Sequence, residues 1–157
     1  GKRGERADLA RLPLGSNVER VARGTKVPVL AVSRSFRPIK RMLAALDAEE
    51  PAAPALDALA GQLLPAGPID LLHVGEANEN VSKTLDLGAA KLRGAGFVVS
   101  CRTEPGEAQT VVPQRVVLAE ADLLIIYAFV SSRLRSMILG SLSSELLRAC
   151  QVPVLLC

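Results

Sequence analysis

Two stretches of the chain decide its fold: LGSNVERVARGTKVPVLAV at residues 14–32 and LGSLSSELLRACQVPVLLC at residues 139–157. They are equal in length and align without a gap. The identical positions are Leu14, Gly15, Ser16, Arg23, Val27, Pro28, Val29 and Leu30, which recur as Leu139, Gly140, Ser141, Arg148, Val152, Pro153, Val154 and Leu155. Each copy is typical of a helix that begins at Gly-Ser and is followed by a short apolar strand opened by Val-Pro. The chain therefore repeats one helix–strand unit.

The first copy has almost no chain in front of it. Because a helix and one strand cannot bury a core by themselves, we expect residues 1–34 to be the C-terminal remnant of a first repeat and residues 38–157 to form a complete second domain. The opening string GKRGER lacks an initiator Met and is not a signal peptide. A piece of a longer tandem protein is one explanation for this start.

Between the two copies, apolar runs alternate with helical patterns. Strands are expected at residues 41–46, 69–74, 97–101 and 123–128, and helices at about 52–64, 80–92 and 110–119, the last with Pro113 in its first turn. This alternation predicts an α/β fold with a parallel sheet and helices on both faces. In such open sheets a ligand binds beyond the carboxyl ends of the strands, where the winding direction reverses. That rule singles out Asp47, Val74 and residues 127–141.

Composition excludes several classes of protein. About half of the residues are apolar (49%) and 22% are charged, as in folded domains, and the longest apolar run, 123–130, is too short to span a membrane. The three cysteines are odd in number and lack C-x-x-C spacing, so we expect buried thiols in a reducing cytoplasm and no disulfide or zinc site. His73 lies inside an apolar run and is expected to be a strand histidine satisfied by its neighbours.

The net charge of +3 conceals an asymmetry. Residues 1–41 hold eleven Lys or Arg against three acids, for +8, and residues 42–157 hold eight against thirteen, for −5. With one aromatic residue and no nucleic-acid motif in the basic part, binding to nucleic acid is not expected. A solvated surface, or a face that docks on the acidic part, is favoured instead.

No residue pattern for catalysis is present. The only histidine lies within a strand, and the serines at 131, 132, 141, 143 and 144 have no base near them in the sequence. We therefore expect a protein that is not an enzyme, with slow ATP hydrolysis as the remaining alternative.

Several features together resemble the universal stress protein family. They are Asp47 after strand one, His73-Val74 closing strand two, Glu104-Pro105-Gly106 after strand three, and Leu139-Gly140-Ser141 before the last helix and VPVLLC. The resemblance covers nearly the whole chain, in the manner of tandem members. It implies a stress-response function and an open five-stranded parallel sheet in the order 3-2-1-4-5, Rossmann-like and of the adenine nucleotide alpha hydrolase-like kind.

The same resemblance implies how the two copies meet. Final strands of two domains in this family commonly pair antiparallel, which would lay residues 27–32 along residues 152–157. The pairing is expected either within one chain, as a pseudo-dimer, or between chains of a homo-oligomer. It would cover two apolar strand edges at once.

One branch of the family binds ATP through the pattern G-x2-G-x9-G-[S/T] after strand four. Gly140 and Ser141 match its end, but Tyr127 and Val130 stand where the first two glycines belong. Bulky side chains there prevent the close approach of backbone to phosphate that glycine allows. Glu49 stands where the family commonly has Ser or Thr, and its carboxylate repels phosphate. Tight ATP binding by the second domain is therefore not expected.

Other residues keep nucleotide binding open as an alternative. The resemblance implies contacts of Asp47 with a ribose and of Val74 with adenine, and residues 131–135 (SSRLR) offer substitute phosphate ligands. The first copy matches the ATP pattern better but is one residue longer, with Gly1, Gly4, Gly15 and Ser16. The strands that would complete its adenine pocket are not in this sequence.

Three functions follow from these observations. The first is a stress-protein module that works through association and holds no cofactor. The second is an ATP-binding switch with weak or no hydrolysis. The third is a binder of another small ligand in the altered cleft, in an apolar pocket lined by Tyr127, Phe129 and Val130.

Overall fold

A mixed α/β fold follows the expected alternation of elements. The computed structural model describes residues 21, 25, 27–32, 38–46, 56–57, 59–126 and 142–157, and of residues 62, 63 and 142–144 it describes the backbone alone. The strands are β1 (Val29–Ala31), β2 (Met42–Leu46), β3 (Pro68–Val74), β4 (Val98–Glu104), β5 (Leu123–Ile126) and β6 (Val154–Leu156). The helices are α1 (Glu79–Gly94), α2 (Ala108–Leu118) and α3 (Leu142–Ala149), and a π-helical segment spans Leu59–Leu63.

The described strands form one sheet in the order β1-β6-β5-β2-β3-β4. Strands β2 to β6 run parallel to their neighbours, and β1 pairs antiparallel with β6. The expected sheet of five parallel strands in the order 3-2-1-4-5 is therefore not matched as such. A sixth strand from the first sequence repeat joins at the β6 edge and makes the sheet mixed. The expected antiparallel pairing of residues 27–32 with 152–157 is confirmed within one chain, with Leu30 opposite Leu155.

The core consists of two apolar clusters, one on each face of the sheet. Alternate residues of a strand point to opposite faces, so Ala44 and Leu46 belong to the first cluster and Leu43 to the second. Helix α1 and the side chains of Leu56, Leu59, Ala60 and Leu64 contribute to the first cluster, and α2 and α3 to the second. The expected covering of both faces by helices is therefore confirmed.

Local sequence explains where the two longest helices begin. The Asn78 side chain caps α1 by accepting a hydrogen bond from the Val81 N–H at 2.9 Å. Helix α2 begins at Ala108, earlier than expected, so Pro113 lies in its second turn and not in its first. The early start follows from Glu107, whose carbonyl already accepts the Thr110 and Val111 N–H groups. None of the helices in the described ranges combines the length and apolar character needed to cross a bilayer.

A reciprocal contact of Asp122 aligns the amino ends of the central strands. Its carboxylate accepts hydrogen bonds from the Lys40 and Arg41 N–H groups at 3.0 and 3.1 Å. Its own N–H donates to the Arg41 carbonyl at 2.9 Å. Because these bonds join the residue before β2 to the residue before β5, they set the register of the two strands between which the winding direction reverses.

The cysteines differ in exposure. Cys150 is buried and Cys157 half-buried, but Cys101 is exposed, and none of the three forms a disulfide. The expectation of buried thiols is therefore wrong for Cys101, because β4 is an edge strand whose outer side faces solvent. Burial raises the pKa of Cys101, while the nearby Arg93 opposes that rise. Burial against the first cluster raises the pKa of Cys157 to about 11.

The raised pKa of Cys157 predicts a loss of stability in alkali. Between the ordinary pKa of 9.0 and the folded-state pKa of about 11, the unfolded thiol ionises and the folded thiol does not. The free energy of unfolding should therefore fall over this pH range by more in the native protein than in Cys157→Ser. Urea titrations at pH 8, 9, 10 and 11 measure how the free energy of unfolding changes with pH in the two proteins. The same change in both would contradict the raised pKa of Cys157.

Candidate functional site

The winding direction of the sheet reverses between β2 and β5. From β2 the chain proceeds through β3 to β4 on one side, and then returns to β5 and β6 on the other. Ala45 of β2 pairs with Ile126 of β5, so the carboxyl ends of these strands lie side by side. This is the position at which open α/β sheets form a crevice for a ligand. It is the position that the sequence predicted.

Of the residues expected to line this crevice, Val74 is the one that the structure describes. It ends β3, is half-buried, and contacts the second apolar cluster with part of its side chain. An apolar surface is thus available at the carboxyl end of β3, as packing on a flat ring requires.

The remaining expected site residues lie outside the described residues. They are Asp47, Glu49, Tyr127, Val130, Gly140 and Ser141, together with Gly1, Gly4, Gly15 and Ser16 of the first copy and residues 129 and 131–135. Leu46, which precedes Asp47, ends β2, and Ile126, which precedes Tyr127, ends β5. The chain therefore enters both expected segments from adjacent strand ends.

Beneath the crevice lies the only histidine, His73. It is 4% exposed, and its Nδ1 atom is 3.4 Å from the Leu46 carbonyl oxygen. The expected place of this histidine within a strand is confirmed, and one of its ring nitrogens contacts a backbone carbonyl. In the described ranges, no group of three His, Cys, Asp or Glu side chains is placed to hold a metal ion.

The carboxyl end of β4 is fixed by contacts that the sequence did not predict. The Gly75 N–H donates to the Glu104 carbonyl at 2.9 Å, and the Glu104 carboxylate forms an ion pair with Arg115 of α2. Both side chains of this pair are mostly buried, at 21% and 30% exposure for Glu104 and Arg115. The end of a strand and the middle of the following helix are not separated by a fixed number of residues. The sequence alone therefore could not predict this ion pair.

The geometry therefore supports a crevice with a half-buried apolar wall at Val74. Contacts of Leu46, Gly75 and Glu104 hold the carboxyl ends of β2, β3 and β4 in place beside it. Such an arrangement can bind a flat or apolar group.

Comparison with known proteins gives consistent results. A family model described as Universal stress protein family matches residues 75–157, just over half of the chain. Universal stress protein Slr1230 of Synechocystis sp. (strain ATCC 27184 / PCC 6803 / Kazusa) is 34% identical over 158 residues, which cover 99% of this chain and 55% of that protein. The chain thus spans about half the length of the curated relative that it matches.

Solved structures share the fold. A universal stress protein from Archaeoglobus fulgidus DSM 4304 superposes with a TM-score of 0.72 at 25% identity, over 92% of this chain and 54% of that one. A universal stress protein in complex with cAMP superposes with a TM-score of 0.62 at 16% identity, over 77% of this chain and 98% of that one. With the sheet order, the crevice and the family match in agreement, this chain belongs to the universal stress protein family.

Proposed function

We propose that this chain is a stress-response module that works by pairing two universal stress protein repeats through their last strands, and that its own crevice does not bind ATP tightly. The observation that carries the proposal is the antiparallel pairing of β1 with β6. It joins the last strand of the first sequence repeat to the last strand of the second.

Burial along the paired strands supports a stable contact. Ala31 of β1 is 4% exposed, and Val154 and Leu156 of β6 are fully buried. These side chains belong to the second cluster, which also contains Leu146 and Leu147 of α3. Full burial of an aliphatic side chain stabilises by about 1.5–3 kcal/mol. Without β1, the apolar β6 would be an exposed edge strand, which favours aggregation.

The two edges of the sheet differ in a way that favours association on the β1 side. At the β4 edge, Arg93 donates from Nη2 to the Val99 carbonyl at 3.0 Å, which occupies a backbone acceptor of the edge strand. At the β1 edge, Val27, Leu30 and Val32 are exposed apolar side chains. Although β4 also exposes Val98, its occupied acceptor disfavours strand addition, and the exposed apolar residues beside β1 favour it.

The proposal includes a tandem arrangement, in which residues 1–34 end a first domain and residues 38–157 are the second. The lengths of relatives support it, because this chain covers 55% of Slr1230 and 54% of the Archaeoglobus fulgidus protein. A cytoplasmic location fits three cysteines that form no disulfide, one of which is exposed.

The sequence of the crevice supports weak nucleotide binding. Tyr127 and Val130 occupy the expected glycine positions, and Glu49 adds a negative charge near the expected phosphates. Asp47, Val74, Gly140 and Ser141 keep residue types that suit a nucleotide. We propose that they form a degenerate site without enzymatic activity.

The second candidate is a nucleotide-responsive switch. It is favoured by the half-buried Val74 at the reversal of the sheet and by a protein of the same fold that binds cAMP. A third candidate is an apolar ligand held by Tyr127, Phe129 and Val130 in the altered cleft. The nucleotide-responsive switch predicts tight binding of ATP, and the association module predicts weak binding.

Strand pairing predicts a specific disulfide. Leu30 and Leu155 are direct partners across β1 and β6, and directly opposed residues of an antiparallel pair have a geometry close to that of a disulfide. Leu30→Cys combined with Leu155→Cys should oxidise to a bond between these residues within one chain. Non-reducing electrophoresis and mass spectrometry of the linked peptides measure it.

The control for this experiment is Val29→Cys with Leu155→Cys, whose side chains point to opposite faces of the sheet and should not link. A bond between two chains in place of one within a chain would show that the pairing is that of a homodimer. Linkage no more frequent than in the control would contradict the pairing.

Nucleotide affinity tests the second part of the proposal. The native protein should bind MgATP with a Kd weaker than about 1 mM, measured by isothermal titration calorimetry. Tyr127→Gly combined with Val130→Gly and Glu49→Ser should improve the affinity at least about tenfold, because it restores the close approach of backbone to phosphate.

Val98→Gly is the matched control, since it removes an exposed side chain at the β4 edge and leaves the crevice unchanged. It should bind as weakly as the native protein. Micromolar binding of ATP by the native protein would overturn this part of the proposal and favour the switch.

A further inference from the structure

The imidazole of His73 lies where the ends of two strands meet. His73 shares a face of β3 with Ile69 and Leu71, which belong to the first apolar cluster, and its side chain is 4% exposed. It pairs in parallel register with Leu46, the last residue of β2. A polar side chain buried to this extent needs a hydrogen-bond partner.

One partner is the backbone of β2 itself. The His73 Nδ1 atom is 3.4 Å from the Leu46 carbonyl oxygen. A carbonyl can only accept, so Nδ1 must carry the proton for this contact to be a hydrogen bond. The bond holds the last carbonyl of β2, directly before Asp47.

Gly75 provides the space for this ring position. A Cβ atom at residue 75 would lie 2.8 Å from His73 Nε2, closer than real Cβ atoms approach other heavy atoms, and 3.3 Å from Cε1. The Gly75 N–H also donates to the Glu104 carbonyl at 2.9 Å, which fixes the chain after β3 against β4. The imidazole therefore lies between the end of β2 and a segment that β4 holds in place.

We propose that His73 is a positioning residue for the crevice, and that Gly75 is the residue that admits it. Its hydrogen bond to the Leu46 carbonyl fixes the carboxyl end of β2 relative to the chain that follows β3. It thereby sets the spacing between the carboxyl end of β2 and the apolar wall at Val74. This role is independent of whether the crevice binds ATP, another ligand or none.

A histidine that merely fills the core would behave differently. Packing in the core requires an apolar side chain of sufficient volume, which leucine supplies. Positioning requires a donor at the place of Nδ1, which asparagine supplies through its side-chain N–H2 group. His73→Leu and His73→Asn therefore separate the two roles.

The experiment compares backbone amide resonances and amide exchange in the native protein and the two variants. His73→Asn should keep the native shifts of Leu46, Val74 and Gly75. His73→Leu should move these shifts and accelerate exchange of the Gly75 N–H at least about tenfold, even where its melting temperature is native-like. Native-like shifts in His73→Leu together with displaced shifts in His73→Asn would overturn the proposal.

A measurement on the native protein decides the question if a variant does not fold. The nitrogen shifts of the His73 ring should identify a proton on Nδ1, and a through-bond coupling should connect Nδ1 to the Leu46 carbonyl carbon. A proton on Nε2 alone would exclude the bond and the proposal with it. ATP titration of the native protein is unaffected by this result, so failure of the positioning role and failure of the proposed function are distinguishable.

Discussion

A parallel sheet is stable only where both of its faces and its apolar edges are covered, and this constraint governs the whole structure. Helices α1, α2 and α3 cover the faces. The edge at β6 is covered by β1, a strand of only three residues. Because β6 is buried along its whole length, its stability depends on this short partner. The contact between the two sequence repeats is thus also the contact that completes the sheet.

The same sheet order determines where a ligand can bind. The reversal between β2 and β5 opens a crevice at the carboxyl ends of the strands, and His73, Gly75 and Glu104 link β2, β3 and β4 there. These links lie beneath the crevice and do not depend on a ligand. A rigid base of this kind can be retained whether or not the crevice above it binds a nucleotide.

Much of the fold could be predicted because its signals are local or repeated. Apolar runs predicted the strands, and the resemblance to the universal stress protein family implied the pairing of β1 with β6. The pairing of the sixth strand was expected, but the sheet order was given for the second domain alone and therefore counted five strands. Cys101 was misplaced because apolarity does not reveal which strand is an edge. The contacts of Gly75 and Arg115 join different elements, so no spacing in the sequence revealed them.

The central claim is that β1 and β6 form one cooperative unit. Hydrogen–deuterium exchange at the amides of these two strands tests it most directly. The account predicts that the hydrogen-bonded amides of Val29–Ala31 and Val154–Leu156 are protected and lose protection together as urea is added. Exchange of the β1 amides at the rate of an unstructured peptide, with β6 still protected, would contradict it.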